Sequence, residues 1–225
     1  MRMKKIVLLD FCGTVVDYQT AIPFLWDVIK NNTNPVKFFF LRKILSRLVY
    51  LTDRFVRHFV EGRHLLKSFV IRSTRGIPRS EFDNMAVGYY EHQLKPHFIE
   101  ETIRLVRHYQ ETGYEVILLS AALDFYLTLF AREYGISKII CTNLEFVDGV
   151  SAGRIKGTDC IDHFKPILFR KQHGQIQSEE IIGITDSITD IPMLNLCDKK
   201  IVISKNTHQN WLDSTMEEII YESER

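Results

Sequence analysis

Along both ends of the chain, short runs of β-branched and aliphatic residues alternate with longer amphipathic stretches. The apolar runs indicate β-strands, because each is a few residues long and is bounded by polar residues or glycine. Strands are predicted at residues 5–9, 115–119, 138–141, 181–184 and 200–203. Helices are predicted at residues 96–110, 123–134, 160–171, 191–195 and 209–221. This alternation predicts an α/β fold, a Rossmann-like doubly wound parallel sheet that helices cover on both faces.

The long segment between the first two predicted strands has a different pattern. Apolar residues recur there at helical spacing, and most basic residues fall off that apolar stripe. The stripe consists of Leu41, Ile44, Leu45, Leu48, Phe55 and Phe59. We therefore predict a core domain formed by residues 1–16 and 96–225, with a helical cap at residues 17–95 inserted after the first strand.

Charge separates the same two parts of the chain. The net charge of the 225 residues is +1, but residues 18–95 carry +7 and residues 96–225 carry −7. The composition, 45% hydrophobic and 25% charged, is typical of a globular protein. Because the total charge is balanced and no nucleic-acid-binding module is found, we expect no nucleic-acid partner.

The cysteines and the apolar runs bear on the compartment. Cys12, Cys141, Cys160 and Cys197 lie far apart and form no C-x-x-C pair. The apolar run near the start is too short for a secretion signal, and no stretch reaches the roughly 18 apolar residues of a membrane span. We therefore expect a reducing, cytoplasmic location.

Charged and hydroxyl side chains follow the predicted strands at the points where the strands end. Asp10 follows the first strand and Ser120 the second, and Asp186 and Asp190 follow the fourth. Lys165 lies on or near the predicted helix that leads into the fourth strand. Each of these residues alone fits a helix cap or a solvated surface position. Their joint occurrence at the carboxyl ends of parallel strands, where such sheets bind ligands, predicts a site for a divalent cation and a phosphoryl group.

The same residues resemble the motifs of the haloacid dehalogenase (HAD) superfamily. The first motif matches Asp10-Phe11-Cys12-Gly13-Thr14, the second Ser120, the third Lys165 and the fourth residues 185–190. Residues 142–165 and the helical insert resemble the phosphoserine-phosphatase-like branch, in which the insert is a cap over the active site. The resemblance covers nearly the whole chain, but in the cap it extends to architecture only.

The resemblance implies a Mg²⁺-dependent phosphohydrolase that acts on a small phosphorylated substrate through an aspartyl phosphate on Asp10. It implies that Mg²⁺ is held by the Asp10 carboxylate, the backbone carbonyl of Cys12, Asp186 and waters oriented by Asp190. The phosphate-binding residues that it implies are Thr14, Ser120, Ala121 and Lys165. The catalytic residues are then Asp10, Cys12, Ser120 and Lys165.

Cys12 departs from the family, whose phosphatases place a second Asp at this position as the acid–base group. A thiol of ordinary pKa is neutral at pH 7 and is a poor base for water. Several interpretations follow: a slow phosphatase, an acid–base role filled by another group or by the substrate, a phosphotransferase, or a catalytically impaired phosphate-binding or scaffold protein. A haloacid dehalogenase and a cysteine-nucleophile enzyme are further alternatives.

The basic surplus of the cap has two interpretations. Its basic residues include Arg54, Arg57, Arg63, Lys67, Arg72, Arg75 and Arg79, interleaved with Phe55, Phe59 and Phe69. They can form a solvated face over a packed bundle. Alternatively, they can attract an anionic substrate, or residues 36–60 can dock weakly on an anionic membrane if the substrate is lipid-linked.

Overall fold

The computed structural model describes residues 4–55, 61–173 and 178–223, and it contains one large sheet and a small hairpin. The strands are β1 (Lys4–Leu9), β2 (Glu115–Leu123), β3 (Lys138–Thr142), β4 (Leu144–Val147), β5 (Val150–Ile155), β6 (Ser178–Thr185), β7 (Lys199–Lys205) and β8 (Met216–Tyr221). The α-helices are α1 (Ala21–Asn32), α2 (Pro35–Phe55), α3 (Glu61–Ser73), α4 (Arg79–Tyr89), α5 (Glu100–Glu111), α6 (Asp124–Glu133), α7 (Phe164–His173) and α8 (Ile191–Leu194). Single turns of other helix types span Tyr90–Leu94, Lys95–His97 and Ile188–Asp190.

The large sheet has six strands in the order β3-β2-β1-β6-β7-β8, and neighbouring strands are parallel. Strand β1 is buried on both faces, because Val7 and Leu9 belong to one hydrophobic cluster while Ile6 and Leu8 belong to another. Both faces of the sheet are therefore covered, as apolar parallel strands require. The predicted fold class is confirmed.

Five α-helices, α1 to α5, lie between β1 and β2 in the described part of the chain, and the first four, α1 to α4, confirm a helical insert after the first strand. They pack on the sheet side through aromatic residues: the Phe24 ring of α1 lies 5.3 Å from Tyr126 of α6, and Phe82 of α4 stacks on Phe125 at 5.1 Å. One hydrophobic cluster contains residues of both parts. The boundaries of the cap at residues 17 and 95 stay a prediction.

The predicted apolar stripe of the cap is only partly correct. Leu41 is half-buried, but Ile44 is 50% exposed and faces solvent. The side chains of Leu45, Leu48 and Phe55, and the whole of Phe59, lie outside the part of the chain that the structure describes, as do the side chains of Arg54 and Arg63 and all of Arg57.

The predicted helix at residues 209–221 is wrong, because its second half is the edge strand β8. The β-branched and aromatic residues Ile219, Ile220 and Tyr221 favour a strand, and they pair with β7 from Ile203 to Lys205. The predicted helix at residues 160–171 begins later, at Phe164.

The hairpin of β4 and β5 was not predicted. Its turn is Asp148-Gly149, with φ angles of 50° and 80° at the two residues. An Asp-Gly pair between short apolar runs is a strong hairpin signal, because both turn residues take positive φ. This signal was present in the sequence.

Candidate active site

Four charged residues meet at the carboxyl end of the sheet. Asp10 follows β1, and Asp186 follows β6, which pairs with β1. Lys165 lies in the first turn of α7, and its ammonium nitrogen lies 2.9 Å from Asp10 Oδ1 and 2.7 Å from Asp190 Oδ2. Lys165, Asp10 and Asp190 are each buried. The structure thus brings these predicted site residues together.

The charges in this cluster do not balance. Burial alone would lower the pKa of Lys165, but the charges of Asp10 and Asp190 outweigh burial and raise that pKa above its usual range. Burial, and next the charge of Asp10, raises the pKa of Asp186 to about 7. Burial also raises the pKa of Asp190, although the charge of Lys165 opposes this shift. The cluster holds three carboxylates and one ammonium group, and that group contacts Asp10 and Asp190. Two negative charges are left uncompensated within the cluster when all three carboxylates are ionised.

Gly13 and Thr14 shape the position of Asp186. The Thr14 hydroxyl donates to Asp186 Oδ1 at 3.0 Å. Gly13 has a φ of +84°, and a side-chain carbon at this position would overlap the Asp186 carboxylate. Glycine is therefore required here both for its backbone angle and for the close approach of Asp186. Thr14, predicted to bind phosphate, contacts this carboxylate in the structure.

Cys12 is buried, and its thiol contacts the cap rather than a carboxylate. Its sulfur lies 3.1 Å from the Thr20 hydroxyl, which in turn lies 2.7 Å from the Tyr126 hydroxyl. Burial, and next the charge of Asp10, raises the pKa of Cys12 to about 11. The thiol is therefore neutral at pH 7, which argues against Cys12 as a thiolate nucleophile.

Ser120 and Ala121 lie at an irregularity of β2. The pairing of β2 with β3 shifts register between Ser120 and Leu123. The buried Ser120 hydroxyl accepts a hydrogen bond from the Ala122 N–H at 3.3 Å. Within the described residues, Ser120 forms no hydrogen bond with Asp10 or Lys165. Its hydroxyl is therefore not engaged by these two side chains, and its binding of a phosphoryl oxygen stays a prediction.

The residues present fit a Mg²⁺ site of the kind that the resemblance implies. Within the ranges that the structure describes, no group of three His, Cys, Asp or Glu side chains is arranged to hold a metal ion. The implied site needs only two carboxylates, from Asp10 and Asp186, together with the backbone carbonyl of Cys12. These are the oxygen donors that Mg²⁺ prefers, and the uncompensated negative charge matches a divalent cation.

The family of this chain follows from a comparison with models of known protein families. A model of haloacid dehalogenase-like hydrolases matches residues 7–195. The chain belongs to this family. The match spans Asp10, Ser120, Lys165, Asp186 and Asp190, so the HAD motifs predicted from the sequence fall inside it. No curated protein matches the sequence.

Solved structures share the HAD fold of this chain. A protein of unknown function from Bordetella pertussis Tohama I superposes with a TM-score of 0.75 at 19% identity, over 90% of this chain and 91% of that one. A phospho-aspartyl intermediate analogue of phosphoserine phosphatase gives 0.62 at 15% identity, over 90% and 87%. A phosphoserine phosphohydrolase-like protein from Francisella tularensis subsp. tularensis SCHU S4 gives 0.60 at 19% identity, over 89% and 87%. The phosphoserine-phosphatase-like branch is thereby confirmed at the level of the fold.

One side chain of the cap contacts the backbone next to the candidate site, and the sequence did not predict this contact. The sequence allows Lys67 of α3 either a solvated position or attraction of an anionic partner, but Lys67 is buried, and its ammonium nitrogen lies 2.7 Å from Asp159. The same nitrogen donates to the Ala121 carbonyl at 3.0 Å and to the Thr142 hydroxyl at 3.4 Å. Lys67 thus ties the cap to the backbone beside Ser120.

Arg79 forms a second contact between the HAD cap and core. Its guanidinium group lies 5.2 Å from the Phe125 ring and 5.3 Å from the Phe146 ring, and it donates to Asp124 at 3.2 Å. For the contact between Lys67 and Asp159, the sequence offers one signal: Asp159 lies inside residues 142–165, the stretch that resembles the phosphoserine-phosphatase-like branch. Phe146, one partner of Arg79, lies inside the same stretch, whereas Phe125 and Asp124 lie outside it.

Proposed function

We propose that this protein is a Mg²⁺-dependent phosphohydrolase that acts on a phosphomonoester through an aspartyl phosphate on Asp10. The observation that carries the proposal is the contact of the buried Lys165 ammonium with the carboxylates of both Asp10 and Asp190, at 2.9 and 2.7 Å. A purely structural ion pair needs one carboxylate. A cluster with surplus carboxylates at the end of a parallel sheet suits a site that takes up a cation and a phosphoryl group.

In the first step, an Asp10 carboxylate oxygen attacks the phosphorus atom, and the bond from phosphorus to the ester oxygen breaks. The departing oxygen takes up a proton from solvent and leaves as the alcohol. In the second step, water attacks the phosphorus of the aspartyl phosphate and gives up a proton to solvent, and the bond from phosphorus to the Asp10 oxygen breaks. This step releases inorganic phosphate and restores the carboxylate.

Lys165 and the phosphate-binding residues act on the charge that develops in both steps. The Lys165 ammonium lies against the Asp10 oxygen, so a phosphoryl group on Asp10 would lie within its field. The Ser120 hydroxyl and the Ala121 N–H would bind phosphoryl oxygens, and Thr14 would keep Asp186 in place. A neutral residue at position 165 would leave this negative charge without a counterion.

Bound Mg²⁺ would reduce the repulsion between the anionic nucleophile and the phosphate dianion. Asp10, Asp186 and the carbonyl of Cys12 would hold it directly. Asp190 hydrogen-bonds to Lys165 and accepts a hydrogen bond from Thr185 at 2.6 Å, so its part in the site would be to orient water and Lys165.

Turnover should be slow because of Cys12. Its neutral thiol, with a pKa of about 11, is a poor proton acceptor for the attacking water and a poor donor to the leaving oxygen. General acid–base catalysis is worth about 10²–10⁴-fold in rate, so a loss of that order is expected. The loss should be larger for esters whose leaving group is a poor one.

The substrate that we propose is a small phosphorylated molecule, either free or lipid-linked. The basic residues of the cap would attract its negative charge. A cytoplasmic location remains a prediction from the sequence.

A catalytically impaired phosphate-binding or scaffold protein is the second candidate. The contact of the Cys12 thiol with Thr20 favours it, because the position that carries the acid–base group in this branch is occupied by a neutral side chain. A haloacid dehalogenase is a third candidate, but Asp186 and Asp190 would have little purpose in displacing a halide.

A panel of phosphoesters and haloacids, assayed with Mg²⁺, separates these functions. Phosphate release by the wild type that disappears in Asp10→Asn is the expected result. Phosphate release only by Cys12→Asp would favour the impaired protein, and halide release without Mg²⁺ would favour the dehalogenase.

A further inference from the structure

The first three turns of α2 present large apolar side chains to solvent. Val36 is 64% exposed, Phe39 60%, Phe40 59% and Ile44 50%. Val36, Phe40 and Ile44 recur at four-residue spacing, so they lie on one side of the helix, with Phe39 beside them. Three exposed basic residues, Lys37, Lys43 and Arg47, lie among them. These seven residues form the α2 outer face.

The packing of the cap does not account for this face. The opposite side of α2 carries Phe38 and Leu41, which are half-buried against the main hydrophobic cluster. The Phe38 ring lies 4.9 Å from Trp26 of α1. A surface helix with one apolar side packed inward normally has a polar outer side. Within the part of the chain that the structure describes, helix α2 therefore has a second apolar side that packing in the core does not explain.

The exposed apolar residues are also clustered. Of the ten large apolar residues that are exposed in the described part of the chain, four lie within residues 36–44, and these include both phenylalanines. The remaining six are aliphatic and lie in other elements. Single exposed apolar residues are normal on protein surfaces, whereas a contiguous patch marks an interaction site.

The charge around the patch indicates what it binds. Residues 28–52 contain five basic residues and no acidic residue. A second copy of this chain would present the same positive charge, and the two faces would repel. A protein partner would be expected to meet a central apolar area depleted of charge, whereas here basic and apolar side chains are interleaved.

An interleaved arrangement suits the surface of a bilayer. Lysine and arginine extend their charged ends to lipid headgroups while their aliphatic stems lie along apolar surface, so neighbouring phenylalanines can enter the interface. Within the described ranges, no helix is long and apolar enough to cross a membrane. We propose that the α2 outer face docks this protein onto the surface of an anionic phospholipid bilayer.

The test is flotation of the whole protein with vesicles of phosphatidylcholine alone and of phosphatidylcholine mixed with phosphatidylglycerol. We expect binding to the anionic vesicles only, and weaker binding as salt is added, because salt screens the lysine and arginine charges. This measurement needs no substrate, so its outcome is independent of the proposed hydrolase activity.

Two sets of variants assign the binding to the face. Phe39→Ser with Phe40→Ser should lower vesicle affinity at least about tenfold, because full burial of one Phe is worth roughly 1.5–3 kcal/mol. Lys37→Gln and Arg47→Gln should each lower it about fivefold. The matched control is Val87→Ser on α4, which is 54% exposed and lies outside the face, and it should bind as the wild type does.

Three outcomes would overturn the proposal. The first is no flotation with anionic vesicles at low salt. The second is undiminished binding by the double Phe variant with an unchanged thermal unfolding midpoint, since charge alone would then suffice. The third is binding to polyglutamate but not to anionic vesicles, which would indicate an acidic protein partner instead. If the double Phe variant unfolds, the two charge variants decide the matter.

Discussion

Replacement of Cys12 by aspartate restores the acid–base group that the proposed chemistry lacks. The Cys12 thiol is buried 3.1 Å from Thr20, and burial and the charge of Asp10 hold its pKa at about 11. A carboxyl group at the same position would meet the same burial and the same neighbouring charge. Both effects raise the pKa of a carboxyl group, so Asp at position 12 would keep a proton to donate at a pH closer to neutral.

The expected gain in rate follows from what a positioned acid–base group supplies. General acid–base catalysis contributes about 10²–10⁴-fold, which corresponds to roughly 3–5 kcal/mol of barrier at 1.36 kcal/mol per tenfold. We expect kcat/KM of Cys12→Asp to rise toward this range for an alkyl phosphate. The rise should be smaller for an aryl phosphate, because its leaving oxygen needs less help from a proton. Phosphate release with Mg²⁺ measures both.

Cys12→Asn is the matched control, because Asn has nearly the size and shape of Asp but no proton to exchange at this pH. It should show no gain in kcat/KM. Equal rates for Cys12→Asp and Cys12→Asn, in proteins whose circular dichroism matches the wild type, would refute the reasoning. A gain that is equal for alkyl and aryl phosphates would refute it too, since proton donation would then not be the cause.

Three further changes probe the cluster itself. Lys165→Met should lower the free energy of unfolding in urea at pH 7 by about 3–5 kcal/mol, because it leaves buried carboxylates unpaired; an unchanged urea midpoint would contradict this. Without metal, the free energy of unfolding should fall between pH 4 and 7 more steeply in the wild type than in Asp186→Asn. Burial, and next the charge of Asp10, raises the pKa of Asp186 to about 7 in the folded state, so the folded protein binds this proton more tightly than the unfolded chain does. Equal pH dependence of the free energy of unfolding in the wild type and in Asp186→Asn would contradict this prediction. Gly13→Ala should abolish the rise in melting temperature on addition of Mg²⁺, whereas Gly113→Ala, with a similar φ of +87° and no atom near a new side-chain carbon, should keep it.

The sheet and the charged cluster could be predicted because local pattern determines both. Strand β1 is a short apolar run followed at once by Asp10, and parallel strands bring such ends to one edge. The edge strand β8 could not be assigned in this way. Residues 219–221 favour a strand, but with Glu217 and Glu218 before them the segment also fits an amphipathic helix, and pairing with β7 decides between the two.

The contacts of the cap could not be predicted, because they join residues far apart in sequence. Lys67 lies 92 residues from Asp159, and nothing near it distinguishes it from a solvated lysine. The family resemblance implies that Cys12 stands where related phosphatases have an acidic residue. It does not show that the thiol lies against the Thr20 hydroxyl, which in turn contacts Tyr126, because these contacts depend on the packing of α1 on α6.

The central claim is that Asp10 carries the phosphoryl group, and mass spectrometry of the acid-quenched protein tests it most directly. The protein is mixed with Mg²⁺ and a phosphoester that it hydrolyses, quenched during turnover, and digested. We predict one added phosphoryl group on the peptide that contains Asp10 in the wild type and in Cys12→Ser, and none in Asp10→Asn. Turnover by Asp10→Asn, or a phosphoryl group that disappears in Cys12→Ser, would contradict the account.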